Sequence, residues 1–123
     1  MIYKIGMLWK HFKGKNIIDK NIYRIEELNV KGSDIDTDKI TYTGEGNMLD
    51  SDNLVVYSNI FQENKYFTRE YDDLASELPQ DKQKQFGQKL RVEPLSEGEI
   101  EIVNSKDYEI KKFKSTEEKF RNV

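Results

Sequence analysis

Apolar and polar residues alternate with a period of two over several short stretches, which is the pattern of half-buried strands. Met7 to Phe12 is the first, and Lys13-Gly14-Lys15 ends it as a Gly-centred turn. Asn21 to Leu28 is rich in β-branched and aromatic residues. Lys39 to Thr43 alternates Ile40 and Tyr42 with polar neighbours and stops at Gly44. Asn53 to Phe61, with Leu54-Val55-Val56-Tyr57 at its centre, is the strongest strand signal. Gln62 to Lys65 then predicts a hairpin loop and Tyr66 to Glu70 the returning strand. Asp72 to Leu78 predicts one helical turn, capped by an Asp and stopped before Pro79. Pro79 to Gly87 reads as a polar loop, and Lys89 to Val92 as a last short strand ended by Pro94.

The remainder differs in character. Glu99 to Val103 and Tyr108 to Phe113 alternate cleanly around a turn-like Asn104-Ser105-Lys106-Asp107, which predicts a hairpin. Ser115-Thr116-Glu117-Glu118 has the form of a capping box and predicts a short terminal helix through Arg121. Ser96-Glu97-Gly98 is the expected junction. The organisation is therefore a β domain over residues 1–95 and a C-terminal extension over residues 96–123.

Several segments, in order, resemble a bacterial small-domain family of unknown function, number sixteen-fifty-three. They are Gly6, then Trp9-Lys10-His11-Phe12-Lys13-Gly14, then Tyr23-Arg24-Ile25, Val55-Val56-Tyr57, Tyr66-Phe67-Thr68-Arg69 and Leu90-Arg91-Val92. Glu70 stands where the family has Pro, and the hairpin Gly after the aromatic is missing. The resemblance covers residues 6–95 with gaps. It implies a small SH3-like barrel or roll, and it implies no activity. The acidic insertion before Val55 and the tail beyond Leu95 are additions, and a specialised function would sit there.

Composition narrows the chemistry. The chain has 123 residues and no cysteine, which removes disulfides, thiolate catalysis and Cys-based zinc sites. Lys outnumbers Arg 16 to 4, and Ile and Asn are abundant. That bias is typical of AT-rich coding, as in a low-GC bacterium or its phage. No apolar run reaches the roughly 18 residues of a membrane span, and no leader pattern opens the chain. The expected setting is therefore the cytoplasm, with no membrane partner. Charge is uneven: residues 1–31 hold seven bases against three acids, and residues 32–64 hold one base against seven acids.

Three groups of residues are candidates for function. His11 is the only histidine, so a triad or a His-rich zinc site lacks members. A packing role on a strand edge is the simpler expectation. Asp34, Asp36, Asp38 and Glu45 have part of the spacing of a calcium-binding loop, but Lys39 stands where its sharp turn needs Gly. An acidic surface loop is expected there, with no metal and no cofactor. The same stretch, with Asp50 and Asp52, presents spaced carboxylates suited to a basic groove of a partner protein. Lys10, Lys13, Lys15, Lys20 and Arg24 near Trp9, Phe12 and Tyr23 suggest instead a nucleic-acid-binding face, although those aromatics also suit a core.

The sequence therefore predicts a mainly-β, non-catalytic binding protein. Asp34, Asp36, Asp38, Glu45, Asp50 and Asp52 are the expected partner-binding residues. In size, acidity and lack of catalytic motifs it resembles small phage anti-CRISPR inhibitors. The partner this implies is a Cas9-type nuclease or its guide complex, blocked at a basic nucleic-acid-binding surface. The alternative is a bacterial nucleic-acid-binding or regulatory module that uses the basic N-terminal face.

Overall fold

In the computed structural model, residues 4–62, 64–109 and 111–112 are described. The alternating stretches become six strands: β1 (Leu8–His11), β2 (Ile22–Val30), β3 (Ile40–Tyr42), β4 (Leu54–Asn59), β5 (Tyr66–Glu70) and β6 (Val92–Pro94). They form one mixed sheet in the order β3-β5-β4-β2-β1-β6. All neighbours are antiparallel except β3 and β5, which run parallel. The mainly-β expectation holds. The sheet ends on β3 and β6 and is open, so no barrel is closed among the described residues.

Alternation along the strands sends neighbouring side chains to opposite faces. Trp9, Ile25, Val55, Tyr57 and Val92 share one face and bury a cluster with Leu74. Leu8 and Ile22 point the other way, where Leu95, Val103 and Tyr108 pack on them. The register aligns Ile25 with Tyr57 and Tyr57 with Phe67, which places three large side chains in one row across the sheet. The pairing of β2 with β4 shifts twice, between Ile25 and Glu27 and between Glu27 and Val30, and Asn29 near the second shift takes a left-handed φ of 55°. Such bulges bend and twist a strand.

Three helical segments and the last strand correct four readings of the sequence. Helix α1 spans Tyr71–Leu74, and its N-cap position is Glu70 with no side-chain cap bond, so no Asp caps it. Helix α2 spans Gln80–Phe86, where a polar loop was expected. It buries no residue, so no apolar stripe announced it, but its Gln and Lys residues are good helix formers and Gly87 ends it at φ 64°. The last strand is β6 at Val92–Pro94, not residues 89–92. Pro94 fits inside it because β6 is an edge, where a missing N–H costs no ladder bond.

The fourth correction concerns the tail. Residues 97–103 form helix α3, and residues 106–109 form a further helical turn, so the predicted hairpin is not there. A full capping box starts α3: Ser96 Oγ accepts from Glu99 N–H, and the Glu99 carboxylate accepts from Ser96 N–H. The Glu-Ile-Glu-Ile alternation is thus carried on a helix, with Val103 buried and Ile100 and Ile102 exposed. The predicted terminal helix at Ser115 to Arg121 lies outside the described residues.

Candidate functional site

The six predicted partner-binding residues are all exposed. They sit on the excursion between β2 and β4, which contains two short 3₁₀ turns, Gly32–Asp34 and Met48–Asp50, with β3 between them. The turns pack on each other. Gly32 N–H donates to Ser51 O at 2.9 Å. A Cβ on Gly32 would lie 1.8 Å from Met48 O, so only glycine permits this approach. The packing puts Asp34 and Asp50 on adjoining turns and Asp52 just beyond. Asp36 Oδ1 accepts from Asp38 N–H at 3.1 Å, a local turn bond, and Lys39 Nζ stands 4.0 Å from Asp36 in an open ion pair. Among the described residues no three carboxylate or imidazole groups converge as metal ligands.

Glu45 is placed differently from the other five. Tyr42 Oη donates to Glu45 O at 2.8 Å, and the chain folds over the Tyr42 ring because Gly44 has no side chain to strike it. Glu45 thereby joins Tyr42, Arg69, Glu70, Asp73 and Arg91 around an open cleft of about 320 Å³. Arg69 and Asp73 form an ion pair between β5 and α1. Arg91 reaches the cleft because its N–H bonds Ser76 O at 2.9 Å, which docks the segment before β6 against the residues after α1. Two of the chain's four arginines thus meet in one place. Both stand in segments of the family resemblance, Tyr66-Phe67-Thr68-Arg69 and Leu90-Arg91-Val92, but nothing in the sequence joined the two.

His11 lies near this cleft on the same sheet face as Trp9. Its ring stacks on Phe12 at 4.6 Å and meets Tyr23 edge-on at 6.2 Å. Tyr23 packs on Tyr57 at 5.0 Å, and Tyr57 on Phe67 at 5.9 Å. The Tyr57 hydroxyl lies 3.0 Å from Thr43 Oγ1. Burial, then the charges of Lys13, Arg91, Lys20 and Arg69, push the His11 pKa down to about 4. Its Nδ1 accepts from Lys13 N–H at 3.2 Å, which leaves the proton on Nε2. The imidazole is neutral at pH 7 and tuned away from proton transfer near neutrality.

The basic N-terminal residues are divided by the fold. Lys20 is buried and donates to Phe12 O at 2.7 Å, and burial, then Lys10, lowers its pKa. Lys10 grips both Glu99 oxygens at 2.9 and 2.8 Å. Trp9 and Phe12 are core residues. Lys13, Lys15 and Arg24 are left at the surface.

Comparison with family models, with curated proteins and with solved structures returns no match. No helix among the described residues is long and apolar enough to cross a membrane.

Proposed function

We propose that the chain is a non-catalytic binding protein whose acidic end occupies a basic surface of a partner protein. The observation that carries this reading is the Gly32–Ser51 junction, which gathers two acidic stretches onto adjoining turns at one end of the sheet. Five exposed aspartates lie there against two exposed lysines of the same stretch, Lys31 and Lys39. Spaced carboxylates of this kind complement the Lys and Arg clefts with which nucleases hold phosphates. A Cas9-type nuclease in a bacterial cytoplasm is the concrete partner. The nucleic-acid-binding alternative is weaker, because Lys10 and Lys20 are engaged internally and Trp9 and Phe12 are buried.

Kinship with the family of unknown function, and with it an SH3-like roll, belongs to the same proposal. It is supported by the meeting of its motif residues His11, Tyr23, Tyr57, Phe67 and Arg69 on one sheet face.

The test is DNA cleavage by purified Cas9-type nucleases from low-GC bacteria, with the protein added before or after guide RNA. Inhibition is expected, and order of addition separates blocked guide loading from blocked DNA binding. The triple variant Asp34→Ala, Asp36→Ala, Asp38→Ala should fold, within roughly 0.5 kcal/mol of the parent, and inhibit less. Full inhibition by that folded variant sinks the acidic-end mechanism. No inhibition of any nuclease sinks the partner.

A further inference from the structure

The cleft around Arg69 and Arg91 shares only Glu45 with the predicted partner-binding residues and lies apart from the five aspartates of the acidic end. We infer that it binds a small zwitterion, a molecule carrying one carboxylate and one ammonium group, as a free amino acid does. The charges of its lining lead to this class. Asp73 holds Arg69 by its Nε, so that pair is neutral and fixes the guanidinium plane. Arg91 is partly buried, and its Nε has no hydrogen-bond partner among the described residues. That Nε is shielded from solvent, so a ligand in the cleft meets Arg91 through the outer end of its guanidinium.

Glu45 and Glu70 line the same cleft, and among the described residues neither carboxylate is in an ion pair. Opposite charges that share a cleft without touching leave a gap between them. A molecule with a carboxylate at one end and an ammonium at the other fills it, the carboxylate on Arg91 and the ammonium on Glu45 and Glu70. Arginine is suited to the first contact because its planar fork matches a carboxylate.

Other ligand classes fit less well. With Arg69 and Asp73 cancelling, two carboxylates face one guanidinium, so a phosphate dianion meets net negative charge. A divalent cation would sit on the two carboxylates and leave the Arg91 guanidinium without an anionic partner. A volume of about 320 Å³ is at the small end of ligand pockets and suits a ligand of amino-acid size. The Tyr42 ring supplies the one large aromatic surface in the lining.

The experiment follows the arginine Nε–H signals of the full chain by NMR at fixed ionic strength. The probes are glycine, acetate and methylammonium. Glycine should shift the Arg91 signal saturably, while acetate and methylammonium each bind about tenfold more weakly, having lost one charge-assisted contact. Glu70→Gln, at an exposed position, should weaken glycine by about the same factor and leave acetate no weaker. Arg91→Lys, with folding checked by Trp9 fluorescence, should weaken both glycine and acetate. If Arg91→Lys does not fold, Glu70→Gln decides alone. Three results overturn the inference: no saturable shift at Arg91 with glycine, acetate binding as tightly as glycine, or glycine binding unaffected by Glu70→Gln.

Discussion

One face of the sheet closes over residues drawn largely from the strands, whereas the other is closed by the far end of the chain. On the first, Trp9, Ile25, Val55, Tyr57 and Val92 come from four strands, and Leu74 of α1 covers them. On the second, Ile22 is covered by Leu95, Val103 and Tyr108, all from residues 95 onward. Tyr108 also donates to Ile17 O at 3.2 Å and packs on Phe61 at 5.7 Å, and burial raises its hydroxyl pKa to about 12. Lys10 and Glu99 tie α3 to β1 beside it. The first face packs sheet residues on one another and on α1, and the second holds the segment from Leu95 onward against the sheet. Local stability should follow that division.

The largest effects should separate the faces. Trp9→Ala removes a side chain that is 1% exposed and should cost about 3–5 kcal/mol, lost in one global transition. Tyr108→Ala, at a residue equally buried, should cost about 3 kcal/mol, with its loss confined to one region. Hydrogen exchange should show residues 97–109 losing protection while β4 amides keep theirs. Loss of protection in β4 to the same degree would show that the two faces unfold as one unit.

Gly32→Ala comes next. Its Cβ would strike backbone at Met48 O, so the two 3₁₀ turns must part. A cost of about 2 kcal/mol is expected in urea unfolding. Partner inhibition should fall with it, since the acidic stretches separate. Wild-type stability in this variant would mean that the excursion repacks freely and is not a fixed surface.

His11 predicts a pH dependence of similar or smaller size. Its pKa is lowered from 6.5 in the unfolded chain to about 4 in the fold, so the unfolded state binds the extra proton between those values. Stability should therefore be complete above about pH 6.5 and fall as the pH drops toward 4. The fall should be roughly 2 kcal/mol, after allowing for solvent screening of a ring that is only partly buried. His11→Gln should flatten the curve between pH 6.5 and pH 5, above the main carboxylate range. An unchanged slope would place the titration elsewhere.

Glu99→Gln is the mildest. Burial opposes ionisation of this carboxyl, but the hydrogen bonds from Lys10 and Ser96 prevail and hold it below the usual carboxylate range. Its contribution is therefore present above the ordinary carboxylate pKa and lost as the pH falls through the lowered value. Replacing it should cost about 1 kcal/mol, seen first in the exchange of α3 amides. An effect on β4 amides instead would again merge the two faces.

Much of the sheet was readable residue by residue. Asn53 to Phe61 became β4 and Tyr66 to Glu70 became β5, because period-two alternation and turn chemistry act locally. The misreadings have a common cause. Helix α2 buries nothing, so hydrophobic periodicity was silent there. In α3, Ile100 and Ile102 alternate like strand residues, and the signal that mattered was the Ser96-to-Glu99 spacing of a capping box. The candidate site was half visible. Asp34, Asp36, Asp38, Asp50 and Asp52 could be named, but Arg91 could not be joined to Glu45, since 46 positions separate them in the chain.

The sequence by itself determined strands β1 to β5, the acid-rich excursion and the absence of cysteine chemistry. These depend on residue type and short-range spacing, which the chain carries wherever it lies. Tertiary structure alone decided that β3 pairs in parallel on β5, leaving the sheet open with β3 and β6 as its edges. It also decided that the tail closes the second face and that Arg91 and Glu45 line one cleft. Those outcomes depend on which distant surfaces bury each other best, and that competition is settled among all the elements at once.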